Sequence, residues 1–342
     1  MFGTYRALLA LMVVALHLGG LDAIGAYAVF GFYILSGYLM TFIMQKNYGY
    51  SLSGISRYAI NRFLKIYPIY WGSIVLSVIL IIFLGETFSS AYHNSIYYPR
   101  NIIESIRNIL LFFPHMESPR LTPPAWALTV EIFFYILIGA GLSKSKKYVL
   151  CWLIMSMIYH AIVIFKGLGW DKKYFVIPAA SLPFATGAFI YYFRDKILRQ
   201  IKIICGKTAK YLPLIIFCAI LLNWYVGYLS GYLRGVFFYT NYFLCSLMIV
   251  VLSERKTLPF ITKKFDRWMG DMSYPVYLIH YQVGLVVVYI LGMIGLEYRR
   301  PDSVIFMISI PFIFITAWIF TVTIEKPIDL IRDRVKQANN CS

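Results

Sequence analysis

Charged residues make up only 14% of this 342-residue chain, against about a quarter in soluble domains. So little charge cannot cover a soluble surface, and with 60% apolar residues the composition is that of a polytopic membrane protein. Acidic residues are scarcer still: 15 Asp and Glu stand against 32 Lys and Arg, a net charge of +17. In a soluble chain such an excess would suggest nucleic acid. Here it reads as basic cytoplasmic loops, and no nucleic-acid partner is expected. Cysteine is sparse. Cys151, Cys205, Cys218, Cys245 and Cys341 form no CxxC pair and have no histidine at metal-ligand spacing, and none falls in an outer loop. Neither a structural disulfide nor a metal site is expected. Phosphate-binding glycine loops and the GxSxG nucleophile elbow are absent, which removes the usual signatures of nucleotide-binding and serine-hydrolase folds. There is no low-complexity stretch, no soluble domain and no clear internal repeat.

What is present is a series of apolar windows, at 4–19, 24–44, 66–85, 124–142, 148–165, 174–193, 211–226, 235–252, 272–293 and 303–324. Each is near the length that crosses about 30 Å of hydrocarbon as a helix. The reading is all-α, with about ten transmembrane helices. Placing the N-terminus inside puts 23 of the 32 Lys and Arg in inner segments, so both termini are expected in the cytoplasm. The first window resembles a secretory signal, but His17 inside it and the spans that follow argue against cleavage. The membrane domain is expected over 1–327, with a short cytoplasmic tail at 328–342 in which Ile328, Leu330, Ile331 and Val335 alternate with charges. The longest outer segment, 86–123, carries Ile102, Ile103, Ile106, Ile109, Leu110 and Phe113 at helical spacing, which predicts an amphipathic helix in the outer interface. Pro114, Pro119, Pro123 and Pro124 then break regular structure ahead of the fourth span. A structured lid of this kind is either functional or only a cover.

Polar residues inside spans carry the chemistry. Arg6 and His17 are eleven residues apart on the first span, so they share a face about 16 Å apart. Two readings compete: a functional pair, or an orientation signal plus a packed histidine. Ser36 lies near the middle of the second span, Glu131 about two turns into the fourth and His280 about two turns into the ninth. Ser36 with Gly37 also suits close helix packing. A buried carboxylate needs a partner, and Glu131 matches the depth of His17. A carboxylate holding an imidazole fixes its tautomer and raises its basicity, as a general base requires. The competing reading of Glu131 is a structural tie between helices. His280 has Tyr274, Tyr277 and Tyr281 near it in sequence to satisfy it. His93, His115 and His160 are assigned no role. Arg62 and Lys65 are three apart and could face one way as an anion site at the cytoplasmic mouth. Positive-inside topology alone would also explain them.

Taken together these motifs resemble the acyltransferase 3 family of integral membrane proteins. Arg6 and His17 match its Arg-x10-His pattern. Phe32-Tyr33-Ile34-Leu35-Ser36-Gly37 is similar to its Phe-Phe-x-x-Ser-Gly segment, and Arg62-Phe63-Leu64-Lys65-Ile66-Tyr67-Pro68 to its Arg-x-x-Arg-Ile-x-Pro segment. Trp126-Ala127-Leu128-Thr129-Val130-Glu131 resembles its Trp-Ser-Leu-x-x-Glu segment. Ser273 to His280 and the closing Glu325-Lys326-Pro327 also look familial. The departures are Tyr33, Lys65 and Ala127. The resemblance implies transfer of an acyl group, most often acetyl from acetyl-CoA, to a hydroxyl of a cell-surface or lipid-linked carbohydrate in the bacterial cytoplasmic membrane. On that reading His17 is the general base and Glu131 orients it. Arg6, Arg62, Lys65, Ser36 and Tyr67 bind the acyl-CoA donor, with Trp126 and His280 toward the acceptor. The chain stops shortly after the tenth span, so any extracytoplasmic accessory domain is expected on a separate protein. Two other readings are a transporter of acylated or lipid-linked sugars and a sensor without catalysis. The first predicts paired broken helices and an inverted repeat, which the sequence lacks. The second has no need of Arg6, His17 and Glu131 together.

Overall fold

A computed structural model describes residues 2–113, 119–255 and 257–337; Pro114, His115 and Cys341 lie outside them. The described residues form helices and no strand. In chain order these are α1 (Gly3–Gly19), α2 (Ile24–Ile43), α3 (Leu52–Leu84), α4 (Glu86–Tyr92), α5 (Ile102–Leu110), α6 (Trp126–Gly139), α7 (Lys146–Phe165), α8 (Trp170–Tyr174), α9 (Ile177–Cys205), α10 (Leu212–Ser230), α11 (Val236–Arg255), α12 (Lys263–Met293), α13 (Ser303–Phe320) and α14 (Lys326–Gln337). Short π-helical turns, Met44–Tyr48 and Thr321–Glu325, extend α2 and join α13 to α14. Among the described residues eight helices are long and apolar enough to cross a membrane, and the shorter apolar helices Gly3–Gly19 and Pro123–Gly139 fill the first and fourth expected windows. The protein is an integral membrane protein of all-α class.

The chain divides into two compact units. The first takes the residues up to Leu9, Asp22–Tyr58 and Val130–Gly270; the second takes Ala10–Leu21, Ala59–Thr129 and the chain from Asp271.

In the first unit α2 is buried along most of its length and packs on α9. Glycine makes that packing possible: a Cβ on Gly37 would lie 2.2 Å from the Phe184 carbonyl oxygen, and one on Gly187 would lie 2.0 Å from that of Ile34. The backbones therefore touch, as small residues permit in membrane helices. Tyr33 and Phe184 stack beside the contact, with ring centroids 5.1 Å apart. The start of α1 is tied to the start of α12. The Asp266 carboxylate accepts from the Gly3 and Thr4 amides at 3.1 and 2.8 Å, which satisfies two of the amides that a helix N-terminus leaves without intrahelical partners.

In the second unit α3 and α12 run parallel. The Tyr274 hydroxyl donates to the Ile66 carbonyl at 2.9 Å, and further along both helices the Gln282 amide meets the Ser77 hydroxyl at 2.9 Å. The segment after α4 does not spread over the outer face as a simple lid. Asn101 caps α5 by accepting from the Glu104 amide, and the helix ends against the middle of α3. There Tyr70, Trp71 and Tyr67 donate to the carbonyls of Asn108, Ile109 and Leu110 at 2.6, 3.0 and 2.9 Å. The last carbonyls of a helix lack amide partners four residues on, and of these three only that of Asn108 also accepts a backbone amide among the described residues, from Leu111 at 3.4 Å, so aromatic side chains of α3 cap α5. Trp71 precedes the end of α3 by 13 residues, so the loop folds back along α3 by about 20 Å. Ser77 donates to the Leu121 carbonyl and Ser73 meets the Thr122 hydroxyl, which continues the attachment up to α6. Of the apolar residues expected on this helix, Ile102, Ile103, Ile106, Ile109 and Leu110 lie on α5 and are exposed on the protein, as a lipid-facing surface requires; Phe113 lies past the end of α5 and is buried.

The glycine contacts give a direct test. Gly187→Ala should lower the thermal unfolding midpoint of purified protein, at a cost of about 1–3 kcal/mol or more for overpacking. Gly292→Ala, where a Cβ would meet nothing within 4 Å, should leave the midpoint unchanged, and equal midpoints for the two variants would disprove the close contact.

Candidate active site

His17 lies in the last turn of α1. Its Nδ1 is 2.9 Å from Nε2 of His280 on α12, and the ring planes differ by 4°. The other nitrogen of His280, Nδ1, is 2.8 Å from the Tyr277 carbonyl. A carbonyl oxygen only accepts, so Nδ1 of His280 carries the proton. In the neutral ring Nε2 is then the acceptor, so His17 donates from its own Nδ1. The Nε2 lone pair of His17 is thereby left to take a proton, as a general base requires. The Tyr277 hydroxyl in turn donates to the Pro124 carbonyl at 2.8 Å, which fixes this helix against the short 3-10 turn that leads into α6.

Groups from two loops surround the pair. The Tyr281 ring lies 4.9 Å from that of His17 and 4.7 Å from that of His280. Arg300, between α12 and α13, donates to the His17 carbonyl at 3.0 Å, and its guanidinium lies 4.7 Å over Tyr281 and 5.3 Å over Tyr92. The Asp302 amide donates to the Leu18 carbonyl at 2.7 Å, so the α12–α13 connection caps α1. His93, just after α4, meets Tyr281 edge-on at 4.8 Å. Burial first, and then the cations of Arg300 and Arg120, push the His93 pKa down to about 3, so this imidazole is neutral. Sequence reasoning gave no role to His93, Arg120 or Arg300.

The other expected site residues are placed as follows. Glu131 accepts from Ser36 and from Tyr135 one turn further along α6. The partner expected for His17 thus binds two hydroxyls, and the imidazole's hydrogen bond goes to His280. Ser36 is engaged by that carboxylate, while Gly37 beside it serves helix packing. Arg6 donates to the Gly270 carbonyl at 3.2 Å and keeps a buried Nε without a partner among the described residues. Lys65 forms an ion pair with Glu325, which is 3% exposed, at the end of the π-helical turn. Arg62 donates to Asn61 at 2.6 Å; Asn61 also receives Arg332, which pairs with Asp329. Arg62 and Lys65 therefore stand in a mixed-charge cluster with α14. Tyr67 caps α5 as described, and Trp126 is the first residue of α6, half buried. The four described cysteines are free thiols, and no group of metal-ligating residues occurs among the described residues.

Fold and site together define an integral membrane protein with a hydrogen-bonded imidazole pair. The chain matches the acyltransferase 3 family, described as an acyltransferase domain, over residues 4–324, and it belongs to that family. It is 26% identical to the peptidoglycan O-acetyltransferase OatA of Listeria monocytogenes over 354 aligned positions, which cover 94% of this chain and 54% of the relative. The chain thus spans about half the length of that curated relative. No solved structure matches it.

The Lys65–Glu325 pair yields a stability prediction. Removing one partner of a buried pair leaves an uncompensated charge, at a cost of about 3–5 kcal/mol where burial is deep. Lys65 is 22% exposed, which places Glu325→Leu below that range. Lys65→Met/Glu325→Leu should recover much of the loss, read as unfolding midpoints in a double-mutant cycle. Strictly additive effects would rule the coupling out.

Proposed function

We propose that this acyltransferase is an O-acetyltransferase of the bacterial cytoplasmic membrane, moving acetyl from cytosolic acetyl-CoA to a hydroxyl of a cell-envelope glycan. The observation that carries this reading is the hydrogen-bond order from the Tyr277 carbonyl through His280 to His17. The acetylating relative supports the acyl group and suggests peptidoglycan as the glycan.

In the proposed step, Nε2 of His17 takes the proton of the acceptor hydroxyl as that oxygen attacks the thioester carbonyl carbon. The tetrahedral adduct collapses, the carbon–sulfur bond breaks and the ester remains on the glycan. The departing thiolate recovers the proton from His17. While His17 is cationic its Nδ1–H bond to His280 strengthens, since bonds to charged groups are the stronger class. His280 is a positioning residue in this scheme. The donor is held from the cytoplasmic side, with Arg6 and Arg62 each offering a guanidinium to CoA phosphates. Lys65 acts there through its pairing with Glu325.

General-base help of this kind contributes about 100- to 10,000-fold. His17→Ala should lower turnover by about that factor in protein that still inserts and stays monodisperse. His280→Ala should lower kcat about 10- to 100-fold, a share of that contribution, with donor affinity unchanged. His280→Gln should restore much of it, because the amide oxygen can accept from Nδ1 of His17. Equal loss in the Ala and Gln variants would reduce His280 to a packing role, and near-normal turnover in His17→Ala would remove the base assignment.

Sidedness is tested in sealed proteoliposomes of known orientation, with acetyl-CoA supplied only on the face bearing the N-terminus. Acetylated glycan should form, by mass spectrometry, when the acceptor is on the opposite face. Product formed only when both substrates share the N-terminal face would overturn transfer across the membrane and leave the acyltransferase assignment standing.

A further inference from the structure

Two arginines, Arg300 bonded to the His17 carbonyl and Arg120 on the side of His93 and Tyr281, have no anionic partner among the described residues. Arg120 is 6% exposed. Its Nε donates to the Pro123 carbonyl at 2.7 Å, while Nη1 is buried without a partner. Arg300 donates one Nη to the His17 carbonyl and leaves its Nε buried without a partner. The Tyr92 hydroxyl, under the Arg300 guanidinium, is likewise buried and unpartnered. No carboxylate of the described residues pairs with either arginine within 4.0 Å; the described ion pairs all lie elsewhere. His93, close enough to feel both cations, stays neutral and so can donate a hydrogen bond without adding charge.

A buried guanidinium is costly unless an anion accepts from it, and Arg is the side chain whose fork matches a carboxylate. Both arginines are tied to the frame by backbone carbonyls, and each keeps a donor uncommitted. The place of Arg120 separates two uses for such a site. It bears on His93, Tyr70, Tyr277 and Tyr281, whereas Arg300 is bonded directly to the residue that carries the base. Donors spread from His17 outward to His93 suit a fixed anion on a bound molecule better than a charge developing only at the reacting carbon. Both belong to connections expected outside the membrane, the side from which the acceptor would enter.

We propose that Arg120 and Arg300, with His93 and the Tyr92 hydroxyl, form a carboxylate-binding subsite that anchors an acidic sugar of the acceptor next to His17. The assignment rests on the acetyl-transfer reading for the acceptor's role, but binding tests it independently. The probes are a peptidoglycan tetrasaccharide, whose muramic acid units carry carboxylates, and the same tetrasaccharide with those carboxylates reduced to alcohols. Titration calorimetry on purified protein without donor should show the acidic form binding at least about 10-fold more tightly. Arg120→Met and Arg300→Met should abolish that preference, while Arg120→Lys, keeping the charge without the fork, should retain part of it. With acetyl-CoA present, the Met variants should raise KM for the acidic form much more than for the reduced form.

Equal binding of both probes by the wild type would overturn the subsite, even if acetyl transfer to both proceeds. A fall in kcat on both probes without a change in binding preference would assign the arginines to the reacting carbonyl instead and also overturn it. So would Glu117→Gln reproducing the Arg120→Met behaviour, which would make Arg120 the partner of a carboxylate of this chain. Absence of acetylated product alongside retained, carboxylate-dependent binding would instead refute the transfer reading and uphold the subsite.

Discussion

The proton order at His17 depends on one carbonyl. The Tyr277 oxygen can only accept, so it assigns the Nδ1 proton of His280. That assignment makes His280 Nε2 the acceptor and places the lone pair of His17 on its far nitrogen. A carboxylate in the same position would fix the tautomer equally well, and would also neutralise the imidazolium once formed. An imidazole partner does the first without introducing a negative charge.

The acids follow the same division. Glu131 is occupied by Ser36 and Tyr135, Asp266 by the amides that open α1, Glu325 by Lys65 and Asp329 by Arg332. The first three tie one helix or segment to another, while Asp329 and Arg332 pair within α14; a buried carboxylate that ties helices needs no catalytic purpose to be retained. Among the described groups, the environment of the imidazole pair is cationic and aromatic.

Hydropathy and periodicity were enough to place the helices, because crossing length and amphipathic spacing are local properties of the chain. His17 was legible for the same reason: a polar residue in a short apolar run is conspicuous wherever the run ends up. The partner of His17 was not. Counting residues from a presumed membrane surface assigns Glu131 and His280 only approximate depths, and several polar groups fit a given depth. Which of them meets His17 is decided by helix azimuth and tilt, which window counting does not contain. His93, Arg120 and Arg300 were harder still. They sit in connections whose polarity reads as ordinary surface, and their place beside His17 follows from tertiary contacts. The caps that Tyr67, Tyr70 and Trp71 supply to α5 draw one loop back along α3, and the Asp302 amide binds the end of α1.

The contacts also bear on the two helices that are short for a span. In the second unit α3 and α12 are parallel, since Ile66 meets Tyr274 and Ser77 meets Gln282. Two parallel crossings of one chain require an odd number of crossings between them. Between α3 and α12 lie α7, α9, α10 and α11, which are long enough to span, and α6, which at 14 residues is short. If the four long helices cross, parallelism requires α6 to cross as well. The antiparallel packing of α3 with the α13 segment is consistent with this count: Lys65 meets Glu325, and Gly72 faces Phe320 and Ile324, with one further crossing, α12, added between them. A short crossing helix is accommodated where the chain at its end is held by protein rather than by lipid. The entry to α6 meets that condition, since the Leu121 and Pro124 carbonyls accept from Ser77 and Tyr277, and the Thr129 hydroxyl donates to the Leu111 carbonyl. The hydrogen bonds that hold the loop against α3 and α12 thus also keep the backbone at the entry to α6 paired with protein.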